Sequence, residues 1–229
     1  MPALPHRRHT TTRTAAALLA TALLAAACSL PIERPERPAI WDLGAAPPPA
    51  APKTASASSG ALGIARIRTT PALDSDAIHY RLLYVTDGDM QPLPYAHSRW
   101  SMNVPQLLGQ RLTQLLAASR PVLDAGNGRM TTLDLRLELD EFAQHFSSPD
   151  ASAGVLRLRA TLFGGHPRRL LAQRAFHASH PAPTPDAAGG VQALRAATDA
   201  IAAELSAWLA THEASLPSQH LQYTATPPV

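Results

Sequence analysis

Side chains able to do chemistry are present throughout this 229-residue chain, but they do not form a familiar set. Cys28 is the only cysteine, and it is not expected to serve as a nucleophile. No Gly-x-Ser-x-Gly stretch offers a serine on a strand-to-helix elbow. Gly164-Gly165 lacks the Lys-Ser/Thr that follows the glycines of a phosphate-cradling loop. His177 and His180 have the spacing of a metal-ligand pair, with His145 and His166 elsewhere. A zinc site needs three or four converging donors, so the expectation is scattered histidines and no metal. Asp87-Gly88-Asp89 matches a fragment of a calcium loop, but no downstream glutamate completes it, and a hairpin turn is the simpler reading. Glu138, Asp140 and Glu141 offer paired carboxylates for acid–base work. Their alternation with leucines points instead to a solvated strand face. The sequence therefore predicts no catalytic residue and no cofactor.

Cys28 has another chemistry in prospect. It closes the uncharged run Ala15–Cys28, AAALLATALLAAAC, which follows Arg7, Arg8 and Arg13 with no acid before it. That is the pattern of an export signal. About thirteen apolar or small residues are too few to cross a hydrocarbon core, which takes roughly twenty, so residues 1–27 read as a cleaved leader. Ala25, Ala26 and Ala27 before the cysteine resemble a bacterial lipobox, with Ala25 where leucine is usual. In a lipobox the sulfur receives a diacylglyceryl group, the chain is cut before the cysteine, and the new amine is acylated. Several acyl chains on one terminus anchor firmly, at about 0.8 kcal/mol per buried methylene. The alternative is an ordinary signal cut at an Ala-x-Ala site. Ser29 stands where, by resemblance to bacterial sorting, an aspartate would favour the inner membrane, so it leans towards the outer one.

The net charge of +3 and pI near 9.5 suggest nucleic acid at first sight. Arg7, Arg8 and Arg13 supply all of the excess, and without them the 17 acidic residues are balanced. Nucleic-acid binding rests on many Lys and Arg contacts to phosphate, and the exported part has no basic surplus to make them. Its roughly 200 residues suffice for one domain with a sizeable core.

Periodicity places the elements. Residues 28–60 read as a tether, a short strand at Ala39–Leu43 with Trp41 buried, and a Pro/Ala/Ser linker over Gly44–Gly60. The main domain spans 61–212, and 213–229 is a polar tail. Strands are expected from Leu62 to Thr69 and from Ile78 to Val85, then a turn at Asp87–Asp89 and a short edge strand at Leu93–Ala96. Asn103 is the expected cap of a first helix. Its stripe of Val104, Leu107, Leu108, Leu112, Leu115 and Leu116 falls at three- and four-residue intervals, and Pro121 stops it. Leu133, Leu135, Leu137 and Leu139 alternate with Asp134, Arg136, Glu138 and Asp140 in a strand ending at Phe142. One dry and one wet face is the mark of an antiparallel sheet. Val155–Phe163 and Leu170–Ala178 complete a meander. A last helix, Asp186 to His212, carries Val191, Leu194, Ile201, Leu205, Trp208 and Leu209, with Thr184 as cap and Pro185 first. The predicted fold is α+β: a single domain with a largely antiparallel sheet whose dry face is covered by two main helices.

Arg99 and Trp100, after Tyr95, pair an arginine with an aromatic as binding hot spots do. Phe142 and Phe146 raise the same question at a strand end. Packing of helix against sheet is the plainer role for Trp100. The run from Ile78 to Leu116 resembles the ABC-type transport auxiliary lipoprotein family, typified by paraquat-inducible protein C. Tyr80, Tyr95, Arg99, Trp100, Pro105 and Leu108 carry the likeness, with Trp41-Asp42-Leu43-Gly44 before them and LRLELDEFAQHF, VLRLRATLF and LLAQRAFHASHPAP after. Ala96-His97 departs from the further aromatics that relatives often have. The resemblance implies a lipoprotein, without catalytic residues, that accompanies an ATPase, a permease and a mammalian-cell-entry-type substrate-binding protein in moving lipid between inner and outer membranes. Tyr95, Arg99, Trp100, Phe142 and Phe146 are then the candidate partner-binding residues. The oligomeric state stays open, a homo-oligomer included. The competing readings are a structural or assembly lipoprotein of another envelope complex and a periplasmic hydrolase or metal-binding protein.

Overall fold

Among the described residues every strand is joined to one long central strand, directly or through one or two neighbours. The computed structural model describes residues 37–45, 61–124, 131–164 and 168–213. Its strands and helices lie in one compact unit, Pro38–Val229. They are β1 (Ala39–Trp41), β2 (Leu62–Ile64), β3 (Arg68–Thr69), β4 (Ala77–Leu82), β5 (Leu93–Trp100), α1 (Val104–Ala117), β6 (Val122–Asp124), β7 (Leu133–Ser148), β8 (Ala151–Gly164), β9 (Arg169–Pro181) and α2 (Ala187–Glu213). The leader, Cys28, the tether before Arg37, most of the linker and the polar tail lie outside the described residues.

The fold is α+β, with one nine-stranded sheet and two helices among the described residues. The expected meander is there: β7, β8 and β9 pair antiparallel in sequence. The other edge of β7 is shared by three short strands in tandem, all parallel to it. β2 pairs at Leu133–Leu135, β3 at Glu138–Leu139 and β4 at Ala143–Phe146. β6 lies parallel outside β2, β5 antiparallel outside β4, and β1 parallel outside β5. The sheet is thus mixed, its long ladders antiparallel and most of its short ones parallel.

The leucine alternation on β7 changes phase partway. Leu133, Leu135, Leu137 and Leu139 face the core. Between Leu139 and Glu141 the register with β8 slips, leaving Asp140 as the extra residue of a bulge. A bulge puts two residues opposite one and so inverts the alternation beyond it. Phe142, Gln144 and Phe146 therefore continue the buried face, while Glu141, Ala143 and His145 point the other way.

Both helices pack on the dry face, α2 across β8 and β9 and α1 beside it. Each residue of the predicted α2 stripe is buried, as is the α1 stripe apart from half-buried Leu115. A buried leucine is worth about 1.5–3 kcal/mol relative to an exposed one, so these stripes dominate the adhesion of helix to sheet. Two helix caps differ from expectation. Asn103 holds the cap position of α1 but its side chain makes no cap bond, donating instead to Asp74 Oδ1 at 3.2 Å. The α2 cap is Asp186, whose Oδ1 accepts from the Gly189 N–H at 2.8 Å; Thr184 serves it by donating to the same carboxylate. Arg111 lies on the buried side of α1, 2% exposed, because Asp199 of α2 accepts two hydrogen bonds from its guanidinium at 2.9 and 2.8 Å.

Candidate functional site

The five candidate partner residues fall on two packed clusters rather than one surface. Trp100 ends β5, where β1 pairs against it through Trp41. The predicted edge strand Leu93–Ala96 extends to Trp100 because Ala39–Trp41 covers its last three residues. Trp100 is 2% exposed, its ring centroid 5.5 Å from that of Phe142, which is also buried. Both are core residues, so the idea that they face a partner is corrected: the β7 bulge turns Phe142 inward, and the β1–β5 pairing seals Trp100. Arg99, next to Trp100 and on the opposite side of the strand, stays half-exposed. Trp41 is half-buried rather than buried, with its indole N–H directed to Ser98 Oγ at 3.4 Å.

The second cluster lies at the far end of β7. Tyr80 and Tyr95 rings lie 4.7 Å apart, and Phe146 meets Tyr80 edge-on at 5.9 Å. Phe146 is buried, so it too is a packing residue; Tyr80 and Tyr95 are half-buried. The Tyr95 hydroxyl donates to Gln144 Oε1 at 2.8 Å, and Gln144 Nε2 donates to Ser152 Oγ at 2.7 Å. Gln144 is wholly buried, and a buried amide without partners is costly. Burial, then Tyr80 and the Asp186 carboxylate, push the Tyr95 hydroxyl well above its ordinary pKa, so it stays a donor. Gln144 was not singled out by the sequence. Its trace there is Gly190, where a Cβ would strike the Gln144 amide. Gly189-Gly190 thus lets α2 settle on this end of the sheet.

The outward face holds the acidic residues. Glu138 pairs with Arg68 at 3.7 Å and Arg159 at 3.5 Å, and Asp140 with Arg159 at 3.8 Å. Glu141 departs from the expectation of a solvated carboxylate: it is 8% exposed. It lies 3.2 Å from Arg81 Nε, 3.5 Å from His145 Nε2 and 4.0 Å from Arg157. Burial alone would raise its pKa, but the neighbouring His145 and the hydrogen-bonded Arg81 outweigh that and hold it below the usual value. His79, also on this face, is pushed down by burial and by Arg81, with Glu141 opposing. Among the described residues no group of three or more His, Cys, Asp or Glu is arranged to hold a metal. His177 and His180, three apart on β9, face opposite sides of the sheet; His166 lies outside the described residues.

A cavity of about 250 Å³ opens beside the start of α1, lined by Leu43, Gly44, Ser101, Met102 and Arg111 among others. Ligand pockets generally begin at roughly 300 Å³. Two charges line it: Arg111, held by Asp199, also donates to the Gly44 carbonyl at 3.1 Å, and Asp42 Oδ1 accepts from the Gly44 N–H at 2.6 Å. The apolar surface is elsewhere. β4 stops at Leu82, short of the predicted Val85, because the Val85 N–H turns back to the Leu82 carbonyl at 3.1 Å. Leu83, Tyr84, Val85 and Met90 are left exposed around the turn.

No curated protein matches the chain. Among solved structures, a Xanthomonas campestris protein of family DUF330 superposes with a TM-score of 0.58 at 20% identity, over 77% of this chain and 94% of that one. An uncharacterised protein gives 0.60 at 15% identity, over 76% and 99%. These likenesses show a shared fold. The family model described as the ABC-type transport auxiliary lipoprotein component matches residues 41–206, which takes in every element from the end of β1 to most of α2. By that match the chain belongs to the family of ABC-type transport auxiliary lipoproteins.

Proposed function

We propose that the mature chain is a non-catalytic adaptor, anchored by acyl groups on Cys28 to the periplasmic side of the outer membrane. It serves there as the receiving or docking component of an ABC-type transporter whose substrate-binding protein is of the mammalian-cell-entry type and whose cargo is lipid. The observation that carries this reading is the family match over 41–206, beginning thirteen residues after a cysteine placed at the end of an export leader. Ser29 supports the choice of membrane. The ordered side chains support an adaptor in another way. Glu138, Asp140, Glu141 and Arg111 are all committed to ion pairs within the domain, so the charges serve the fold. Tyr95 and Arg99 are the surface candidates for partner contact, with Trp100, Phe142 and Phe146 holding the backbone beneath them.

Complementation with a Cys28→Ser chain, exported through an ordinary signal, tests the reading. It should reach the periplasm, fold, and fail to restore transporter-dependent growth. Full restoration by the unacylated chain would refute the anchored role.

A further inference from the structure

Of the six large apolar side chains left exposed among the described residues, four are gathered at one end of the sheet, while Ile40 and Leu170 stand singly elsewhere. Leu83, Tyr84 and Val85 are 44–47% exposed and Met90 67%. All four sit on the β4–β5 connection, at the end of β7 where β4 pairs with Ala143–Phe146. The tip is a fixed structure. The Gly88 N–H donates to the Val85 carbonyl at 3.0 Å, and Arg81 donates to the Asp89 carbonyl at 2.7 Å while holding Glu141. Asp87 takes a positive φ of 59°, a conformation that Asp tolerates better than most residues. A Cβ on Gly88 would strike the Leu82 carbonyl. The apolar groups are therefore presented by a braced turn, and little order is lost when they are covered.

Two further facts bear on what covers them. β1 runs parallel to β5, with Ala39 level with Ser98. β5 leaves the tip at Leu93, so the chain arrives at Ala39 from the tip side of the sheet. Only nine residues lie between Cys28 and Pro38, ten steps with a reach of at most about 35 Å. Reach alone admits either end of the sheet to a membrane holding Cys28. The direction of arrival and the exposed apolar groups together select the tip.

We infer that the β4–β5 tip, through Leu83, Tyr84, Val85 and Met90, rests in the interfacial layer of the bilayer that holds the N-terminal anchor. This fixes which end of the domain faces that membrane. Asp87 and Asp89 on the same turn favour zwitterionic headgroups, whose ammonium groups they can meet, over anionic ones. The inference rests on acylation of Cys28.

The test uses the full acylated protein in phosphatidylethanolamine–phosphatidylcholine vesicles. Cys28 is the only native cysteine and its sulfur is blocked, so Tyr84→Cys and Met90→Cys each create a unique thiol for an environment-sensitive fluorophore. Leu170→Cys is the control: Leu170 is 62% exposed but pairs opposite Phe163, about 40 Å along the sheet from the tip. The expected result is a blue shift and quenching by lipid-borne spin labels at 84 and 90, reduced when anionic lipid is added, with neither effect at 170. Unquenched probes at 84 and 90 on protein that still floats with the vesicles would overturn the inference and leave the anchor standing. Equal quenching at 170 would overturn it as well. Failure to float would overturn the anchor reading and the inference with it.

Discussion

Alanine at Gly154 and alanine at Gly109 should change stability in opposite directions. Gly154 lies on β8 beneath the first turns of α2. A Cβ there would stand 2.5 Å from the Leu194 amide nitrogen, 2.6 Å from the Ala193 carbonyl carbon and 2.9 Å from the Ala193 Cβ. Ordinary contact begins near 3.4 Å, so α2 must lift by about 1 Å. The opposing atoms are helix backbone and cannot swing away as a flexible side chain would. Lifting the helix loosens the contacts of Leu194, Ile201 and Leu205 with the sheet together. Overpacking costs about 1–3 kcal/mol, and rigid opposition puts this case near 3 kcal/mol. A domain of this size loses roughly 2–4 °C of Tm per kcal/mol, so Gly154→Ala should melt roughly 6–12 °C lower. Gly109, within α1, has only Ile67 side-chain carbons near its would-be Cβ, at 4.0 Å. Alanine there gains about 0.5–1 kcal/mol of helix propensity, for a rise of about 1–4 °C. Thermal unfolding followed by circular dichroism, on the chain from Ser29 onward, measures both. A Gly154→Ala variant as stable as the parent would refute the close approach of α2 to β8 on which this packing account rests.

Three further outcomes are expected. Tyr95→Phe leaves buried Gln144 Oε1 without the donor seen at 2.8 Å and should lower the urea stability by about 1–2 kcal/mol; no change in midpoint would mean the amide is satisfied without the tyrosine. Asp186→Ala removes the acceptor of the Gly189 N–H and should cost about 1 kcal/mol, with Thr184→Ala costing less, so a larger effect at Thr184 would reassign the cap. Stability should fall with pH in two stages. The folded pKa of His79 is depressed below 6.5, so the unfolded chain takes this proton first and stability is lost as pH drops through and below 6.5. Glu141, depressed below 4.5, adds a second loss as pH falls past that value. His79→Gln should remove the first stage and leave the second, and an unchanged slope between pH 7 and 5 in that variant would contradict the assignment.

The helices were legible because a 3.6-residue stripe is a local signal: Val191 through Leu209 needs no knowledge of what it packs on. The β7–β9 meander was legible for the same reason, since each strand shows its own alternation and short turns join them. The tandem pairing of β2, β3 and β4 along β7 was not, because parallel partners far apart in sequence leave no local mark. The bulge at Asp140 hid two further facts. It moved Phe142 and Gln144 onto the buried face and turned Glu141 outward, where Arg81, His145 and Arg157 cover it, though simple alternation reads all three otherwise. The burial of Arg111 was not anticipated from the sequence, and only Asp199 on the other helix shows why it is buried. The Arg99-Trp100 pair was visible as a motif, but adjacent residues on a strand face opposite ways, so one became surface and the other core. Leu83–Val85 reads as strand by composition; the turn bond from Val85 to Leu82 is what takes it out of the sheet.

On the function proposed above, this chain acts by occupying a place in a transporter assembly at an envelope membrane. Affinity purification of the acylated protein from cells, in mild detergent, tests it most directly. A mammalian-cell-entry-type protein should co-purify, and should be lost when Tyr95 and Arg99 are both replaced by alanine in a chain that still folds. Recovery of envelope assembly factors with no transporter component would contradict it.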